Sequence, residues 1–390
     1  MTRRRLASLL CLDDFERAAR RHLPRAVFEY VAGGAETDSS LRDNRAAFSE
    51  WGFLPRALVD VSGVSTRTTL FGHDYEAPFG IAPLGLAALF AYRGDLLLAK
   101  AAHDANIPMM MSGTSLIRVE EIAASYPSTW FQAYLPGDVD GNAALIERIA
   151  RTKIDTLVVT VDCQIAGNRE NNIRAGFTTP LRPSVRLAVD GITHPRWLFG
   201  TFVRTFVKHG APHFENNFAT RGAPILSRNV LRDYSDRGRL DWSQWRRVRE
   251  LWKGRLLIKG ILDKADALRA RDGGADGIIV SNHGGRQLDG AVSALRVLPE
   301  IVQSVRDVPV MVDGGVRRGT DVLKALALGA AFVFVGRPFA YGAAIAGVSG
   351  VMRAIDILRT EIARDMGMLG VTRLAEVDRA RLFRIDARPS

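Results

Sequence analysis

The segment GADGIIVSNHGGRQLDG, residues 274–290, decides the fold of this chain. Its apolar run GIIV, rich in β-branched residues, predicts a short strand buried on both faces, as in a parallel sheet. Polar and charged side chains follow at once in SNHGGRQLDG, residues 281–290. Parallel α/β proteins carry their functional groups at the carboxyl ends of the strands. We therefore expect Ser281, His283 and Arg286 to contribute to a site at this strand end.

The local geometry allows two interpretations of these residues. Strand alternation places Ser281 and His283 on one side, and the glycine pair Gly284 and Gly285 lets the chain turn so that Arg286 returns toward them. However, a single histidine is more often structural than catalytic, and a glycine pair after a strand is often only a turn. The other strand ends decide between these interpretations.

Seven further apolar runs of the same kind occur from Ala77 onward, and helical patterns follow most of them. Eight strand–helix units in series predict a single closed (β/α)8 TIM barrel. An open doubly wound sheet is the alternative, but it would carry an early glycine-rich dinucleotide turn, which the sequence lacks. The seven runs are APFGIAPLG at 77–85, IPMMMSGTS at 107–115, STWFQAYL at 128–135, DTLVVTVD at 155–162, RLLIKG at 255–260, VPVMVDGG at 308–315 and AAFVFVGRP at 330–338.

We expect one domain over residues 1–390, with an N-terminal helical cap at 1–76 and the barrel at 77–390. An insertion at about residues 176–240, after the fourth strand, is far longer than an ordinary βα loop. Its segment 194–210 predicts a helix that lies in a membrane interface or packs on the barrel or another subunit. Leu198, Phe199, Phe202 and Phe206 would share one face of this helix, with Arg204 and Lys208 on another.

Composition restricts the partners of the chain. The 53 basic residues exceed the 42 acidic ones, and the resulting charge of +11 favours a polyanion, an anionic membrane or acidic small molecules. Nucleic acid ranks last because no nucleic-acid-binding motif is present. Cys11 and Cys163 form no disulfide or metal pattern, so we expect a reducing compartment and no metal. The apolar stretches are too short for a spanning helix or a cleaved leader.

The last two strand ends predict a phosphate site. Barrel enzymes commonly bind phosphate between the loops after strands seven and eight, where backbone N–H groups converge. Glycines there let the backbone approach a ligand closely, and arginines bind phosphate in a bidentate manner. The candidates are Asp313, Gly314, Gly315 and Arg317 after strand seven, and Gly336 and Arg337 after strand eight.

The remaining strand ends supply polar groups to the same mouth. Lys259 ends the fifth strand and could stabilise negative charge on an electron-accepting ring. Asp162 could orient His283 and raise its basicity. Further candidates are Tyr30 in the cap, the turn Ala82, Pro83 and Leu84, and Ser112, Gln132, Tyr134, Thr160 and Arg169.

With these strand ends in place, the chain resembles the FMN-dependent L-2-hydroxy acid oxidase and dehydrogenase family over nearly its whole length. The strings that carry the resemblance are FEYVAGGAETDSSLRDNRAAFSEW at 28–51, SNHGGRQLDG at 281–290 and DGGVRRGTDVLKALALGA at 313–330. It implies that His283 is the active-site base with Asp162 as its partner. Arg169, Arg286, Tyr30 and Tyr134 would contact the substrate. Ala82, Pro83, Leu84, Ser112, Gln132, Thr160, Lys259 and Ser281 would contact the flavin or ribityl chain, and Asp313, Gly314, Gly315, Arg317, Gly336 and Arg337 the ribityl phosphate.

The resemblance also implies an activity. We expect FMN-dependent oxidation of a lactate- or mandelate-like L-2-hydroxy acid to the 2-oxo acid, with electrons passing to a quinone or another membrane acceptor. A soluble oxidase that uses oxygen and forms hydrogen peroxide is the alternative. Gly85 and Thr114 stand where some oxidases have Ala and Trp, which favours the dehydrogenase.

Location and assembly follow from the same comparison. The insertion resembles the membrane-contacting segment of bacterial dehydrogenases, so we expect a cytoplasmic protein that attaches peripherally to the cytoplasmic face of the inner membrane, as a homotetramer. Two other functions are the alternatives. A biosynthetic flavoprotein of the same fold would lack His283 or the substrate arginines, and both are present here. A basic membrane scaffold without catalysis would bind no flavin.

Overall fold

A computed structural model describes residues 1–135, 138–178, 181–227 and 237–385. Eight parallel strands form one sheet in which the first strand pairs with the eighth. A parallel bridge between Ile81 and Met109 joins the first strand to the second, so the sheet closes. The predicted (β/α)8 barrel is confirmed. Its strands are Phe79–Ile81, Met110–Ser112, Trp130–Ala133, Thr156–Thr160, Arg255–Ile261, Gly277–Val280, Val310–Asp313 and Phe332–Val335.

Helices follow the strands and cover the outside of the barrel, as the apolar periodicity predicts. The last helix bends at Ala346 and Gly347, where the backbone angles are not helical. It is long and apolar enough to cross a membrane, but 61% of its most apolar window is buried inside the protein, as in a core helix. The barrel helices are Ala87–Phe90, Gly94–Asp104, Val119–Ser125, Val139–Ala150, Trp242–Leu251, Lys264–Asp272, Ala294–Ser304, Gly319–Ala327 and Arg337–Leu369.

A short hairpin closes the amino-terminal end of the barrel. Its strands, Thr68–Leu70 and His73–Tyr75, pair antiparallel. The Tyr75 ring contacts Phe332 with centroids 5.7 Å apart, and Phe71 contacts Trp130 at 6.0 Å. Because Trp130 and Phe332 are the first residues of their strands, the hairpin fills the amino-terminal end. Only the carboxyl-terminal end is left for a ligand.

The N-terminal segment packs across the carboxyl-terminal end of the barrel. Asn44 and Asn282 exchange two side-chain hydrogen bonds, 2.8 and 2.9 Å long, and Ala35 N–H donates to the Gly285 carbonyl at 2.9 Å. These contacts bind the segment directly to the loop that carries His283. Its helices are Arg3–Ala7, Leu12–Arg20, Arg25–Ala32 and Ser39–Ser49, and its strand Trp51–Phe53 pairs with Leu382–Arg384 near the end of the chain.

The insertion after the fourth strand is helical in the part that the structure describes. The helices are Glu170–Ala175, Val185–Ile192, Pro195–Trp197 and Arg204–His209, with a π-helix at Leu198–Val203 and a 3₁₀ turn at Arg237–Arg239.

The π-helix corrects the predicted face of residues 194–210. A π turn adds a residue to the helical repeat, so the periodicity of an α-helix no longer holds across it. Leu198 and Phe206 are half-buried, whereas Phe199 is 65% and Val207 79% exposed. Arg204 is exposed but lies over the Tyr92 ring at 3.9 Å.

Two segments of the insertion expose apolar side chains to solvent. We call these residues the insertion apolar surface: Val185, Val189, Ile192, Phe199, Phe202, Val203 and Val207.

Candidate active site

A cavity of about 560 Å³ opens at the carboxyl-terminal end of the barrel. Side chains from separate strand ends line it, together with Tyr30 from the N-terminal segment. The candidate residues that line the cavity are Tyr30, Ala82, Pro83, Leu84, Tyr134, Arg169, Lys259, His283, Arg286, Asp313, Gly314, Gly315, Arg317, Gly336 and Arg337.

The other candidates, Ser112, Gln132, Thr160, Asp162 and Ser281, touch or neighbour these lining residues. Ser112 Oγ donates to Gln132 Oε1 at 3.2 Å, and Lys259 Nζ donates to Ser281 Oγ at 2.8 Å. Thr160 lies beside Lys259 in the register of the fourth and fifth strands. The structure therefore gathers all the candidate side chains at one end of the barrel.

A backbone turn, and not strand alternation, places His283 at the cavity. The sixth strand ends at Val280, and His283 has a left-handed backbone with φ of 59°. Its N–H donates to Ser281 Oγ at 3.0 Å, which stabilises this turn. The predicted reason for its position, alternation along the strand, is therefore wrong, although His283 does line the cavity.

The imidazole of His283 lies between a carboxylate and a phenol. Its Nδ1 is 3.0 Å from Asp162 Oδ1, and its Nε2 is 3.4 Å from Tyr134 Oη. Burial lowers the pKa of His283 below its usual value of 6.5, against the opposing charge of Asp162. Because a carboxylate only accepts hydrogen bonds, the neutral ring carries its proton on Nδ1. Nε2 is then the basic nitrogen.

Asp162 remains ionised in this environment. Burial alone would raise its pKa, but the charge and hydrogen bond of His283, together with the charge of Lys259, hold the pKa below its ordinary value. Its backbone carbonyl accepts from Gln287 Nε2 at 3.2 Å, which ties the fourth strand end to the loop after the sixth. The pair is thus a fixed anion beside a neutral base.

Arginines make the cavity strongly positive. Arg286 Nη1 donates to the Gly33 carbonyl at 2.6 Å, and Arg169 Nη2 donates to Gln287 Oε1 at 2.7 Å. Burial, with repulsion from Arg169 and Arg337, lowers the pKa of Arg286 to about 9. Several partly buried cations in one cavity favour an anionic ligand.

The two tyrosines remain neutral hydroxyl groups. Burial raises the pKa of Tyr30 and raises that of Tyr134 well above its usual value. The Tyr30 ring stacks on Phe177 with centroids 4.7 Å apart. The guanidinium carbon of Arg286 also lies over the Tyr30 ring, 5.3 Å from its centroid. Both phenols can therefore donate hydrogen bonds to a ligand.

The deep side of the site contains a buried ion pair and unpaired polar atoms. Lys259 Nζ is 2.9 Å from Asp313 Oδ2. Burial would lower the Lys259 pKa, but Asp313 and Asp162 raise it above its usual value, so the ammonium stays charged. Among the described residues, Gln132 Nε2, Thr160 Oγ1 and Asp313 Oδ1 are buried without a hydrogen-bond partner. Donors and acceptors in this arrangement fit the polar edge and sugar chain of a flavin.

The loops after strands seven and eight carry the residues that the sequence predicts for a phosphate site. Gly314 and Gly315 have positive φ angles of 110° and 80°. The Arg317 side chain is buried. Arg337 also has a structural role, because its guanidinium donates to the carbonyls of Val31, Gly33 and Gly284. It holds the N-terminal segment on the barrel at the point where a phosphate would bind.

Several residues that line the cavity were not predicted from the sequence, and three of them lie close to the predicted site residues. Phe177 and Cys163 line it, and Arg237, at the far end of the insertion, lies over the Tyr134 ring at 4.3 Å. The positions of Phe177 and Arg237 depend on how the insertion folds back, and no local spacing signals this. Cys163 instead directly follows Asp162 after the fourth strand. Cys163 Sγ lies 3.4 Å from His283 Nδ1 although the two residues are 120 positions apart.

Comparison with known proteins matches this arrangement to a family. The family model described as FMN-dependent dehydrogenase matches residues 19–384. This chain belongs to the FMN-dependent dehydrogenase family. L-Lactate dehydrogenase of Caulobacter sp. (strain K31) is 39% identical over 96% of this chain and 98% of the relative. (S)-Mandelate dehydrogenase of Pseudomonas putida is 36% identical over 93% of this chain and 91% of the relative.

A solved structure shares the fold across the whole chain. It is the crystal structure of (S)-mandelate dehydrogenase, described as a monotopic membrane protein. The TM-score is 0.90 with 35% sequence identity, and the match covers 97% of this chain and 100% of that one. The protein is accordingly an FMN-dependent oxidoreductase, and the unpaired buried atoms and glycine turns described above fit this cofactor.

The substitution Gly315→Ala should prevent FMN retention. A Cβ at Gly315 would lie 2.0 Å from the Asn44 carbonyl oxygen, so the loop and the N-terminal segment would have to separate. Gly72→Ala is the matched control, because Gly72 also has a positive φ, 77°, but a Cβ there meets nothing within 4 Å. We expect the 315 variant to purify with less than half the FMN per chain of the 72 variant, measured by flavin absorbance. Equal FMN content would contradict this assignment.

Proposed function

We propose that this protein oxidises an L-2-hydroxy acid to the 2-oxo acid. The observation that carries the proposal is the neutral, partly buried His283 hydrogen-bonded to ionised Asp162 in a cavity that also contains Arg169 and Arg286. A base beside buried cations suits a substrate that has a carboxylate next to a hydroxyl-bearing carbon. The lactate and mandelate dehydrogenases among the relatives support the same substrate class.

The arginines and tyrosines would position the substrate. Arg286 and Arg169 offer paired N–H donors that bind a carboxylate in a planar, bidentate manner. Tyr30 and Tyr134, which keep their phenolic protons, would donate to the carboxylate or hydroxyl oxygen. Fixing both ends of a small molecule in this way brings the reacting carbon to a defined place, which contributes much of the rate enhancement.

His283 would remove the proton, and Asp162 would stabilise the product of that transfer. Nε2 accepts a substrate proton, and the resulting imidazolium is held against the Asp162 carboxylate through Nδ1–H. FMN, when bound, supplies the acceptor for the two electrons that leave the substrate. Lys259 keeps its charge in the buried pair with Asp313 and would offset negative charge that develops nearby.

Electrons would pass to a quinone or a similar membrane acceptor, because the first-strand turn has Gly85 where some oxidases have alanine, as in the dehydrogenase pattern. A Cβ at Gly85 would lie 2.6 Å from Thr114 Oγ1 and 3.0 Å from Tyr30 Oη. The small residues at this point therefore keep space beside Tyr30 that an alanine would fill. An oxygen-using oxidase is the alternative outcome of the experiment below.

Anaerobic mixing with a panel of L-2-hydroxy acids should bleach the flavin absorbance. His283→Gln should slow this bleaching by about 10²- to 10⁴-fold, because the variant lacks the base, while FMN remains bound. Stopped-flow absorbance measures the bleaching rate of the wild type and of the glutamine variant. D-Enantiomers are the negative control, and reoxidation with oxygen or a quinone analogue identifies the acceptor. A near-normal bleaching rate in the glutamine variant would overturn the role of His283.

We also propose that the insertion apolar surface attaches the protein to the cytoplasmic face of a membrane. Phe199, Val203 and Val207 are exposed within a stretch of ten residues, 199–208, that also includes Arg204 and Lys208. Exposed apolar groups beside basic ones suit an anionic lipid interface. The description of the (S)-mandelate dehydrogenase structure as a monotopic membrane protein supports this mode of attachment.

Replacing Phe199, Val203 and Val207 together by serine should weaken binding to anionic vesicles about tenfold or more, because the variant buries less apolar area in the lipid. Co-sedimentation with phosphatidylglycerol vesicles at low salt measures the binding. Leu58→Ser is the control, because Leu58 is fully exposed but lies outside the insertion. If the triple variant and the wild type sediment equally, or if neither binds, the attachment proposal fails.

A further inference from the structure

Three different metal-binding atoms meet beside the cavity. Cys163 Sγ lies 3.3 Å from Asp162 Oδ1 and 3.4 Å from His283 Nδ1. The third side of the triangle, from His283 Nδ1 to Asp162 Oδ1, is 3.0 Å. A thiol, an imidazole and a carboxylate thus form one compact face at the end of the fourth strand.

The dimensions of this face are close to those of a tetrahedral zinc site. With bonds of about 2.0–2.3 Å, two ligand atoms of such a site lie roughly 3.3–3.6 Å apart. The observed separations of 3.0–3.4 Å need only a small outward movement of each atom. Cys163 and His283 both line the cavity, so an ion can approach from that side and keep a position for water.

A second observation also points to a ligand. Among the residues that the structure describes, Asp162 Oδ2 is buried and has no hydrogen-bond partner. A carboxylate in this state has an oxygen available to a cation, in addition to the oxygen that contacts His283. The Asp162 side chain is only 13% exposed, so bulk water does little to satisfy it.

The state of the thiol decides between metal binding and other cysteine chemistry. Burial, with the charge of Asp162, raises the pKa of Cys163 well above its usual value. A protonated thiol is a poor nucleophile and is slow to oxidise. A soft divalent cation can nevertheless displace the thiol proton, since metal coordination deprotonates cysteine outright.

We propose that Asp162, Cys163 and His283 form an inhibitory site for a soft divalent cation, with Zn²⁺ as the representative ion. Binding releases the thiol proton to solvent and places the metal on Nδ1 of His283. The ring proton then resides on Nε2, so Nε2 has no lone pair to accept a proton from the substrate. The inhibition, though not the binding, rests on the proposed role of His283 as the base.

The ligand set also determines which ions inhibit. Thiolate and imidazole ligands favour zinc and cadmium, whereas magnesium and calcium prefer oxygen ligands. Zn²⁺ and Cd²⁺ should therefore inhibit the enzyme, and Mg²⁺ and Ca²⁺ at the same concentration should leave the rate unchanged.

The test uses the holoenzyme and zinc sulfate alone. Substrate oxidation is measured against Zn²⁺ concentration for wild type, Cys163→Ala and Cys11→Ser, each relative to its own rate without zinc. Cys11 is the matched control, because it is the other cysteine of the chain. We expect zinc to inhibit wild type and the Cys11 variant alike, and a chelator to reverse this inhibition. The Cys163 variant should need at least about tenfold more zinc for the same fractional inhibition. Equal inhibition of all three proteins would overturn the proposal.

A measurement without turnover separates the site from the proposed function. Zinc X-ray absorption of the holoenzyme loaded with one equivalent of Zn²⁺ should show one sulfur neighbour at about 2.3 Å, and this neighbour should be absent in Cys163→Ala. A spectrum without sulfur in the wild type would contradict the site. If sulfur is present but no 2-hydroxy acid reduces the flavin, the metal site stands and the proposed function fails.

Discussion

The hydrogen bond between His283 Nδ1 and Asp162 Oδ1 joins the ends of the fourth and sixth barrel strands and sets the protonation of the site. Burial keeps the imidazole neutral, and the adjacent carboxylate keeps the ring proton on Nδ1. The chemistry that we propose follows from this one constraint, because it leaves Nε2 as the basic nitrogen. The same constraint makes the site sensitive to any cation that competes for Nδ1.

The surrounding positive charge complements this pair. Arg286 and Arg337 are both partly buried at the barrel mouth, and both donate to backbone carbonyls of the N-terminal segment. The same guanidinium groups thus attach this segment to the barrel and create the field that favours anionic ligands. Burial, together with repulsion from Arg169 and Arg337, lowers the pKa of Arg286 to about 9, and binding of a flavin phosphate and a substrate carboxylate would offset that repulsion.

The sequence predicted the barrel well because each parallel strand is buried on both faces and appears as a separate apolar run, such as GIIV at 277–280. It predicted which side chains gather because strand ends converge in this architecture. It did not predict how they do so: His283 depends on a left-handed turn, and the π-helix at Leu198–Val203 changes the exposed face of the insertion. Arg237 could not be placed, since its contact with Tyr134 depends on how the insertion folds back. Cys163 directly follows Asp162, but a single cysteine outside any disulfide or metal pattern gave no reason to assign it to the site.

The pH dependence of kcat/KM in wild type and Asp162→Asn tests the central claim most directly, because kcat/KM reports the ionisation of the free enzyme. Activity falls as His283 becomes protonated, so the account predicts an acid limb below pH 6.5 in the wild type. Removing the Asp162 charge takes away an interaction that raises the His283 pKa. The asparagine variant should therefore show its acid limb at still lower pH, with a lower plateau rate. A limb above pH 6.5 in the wild type, or one that does not move in the variant, would contradict the account.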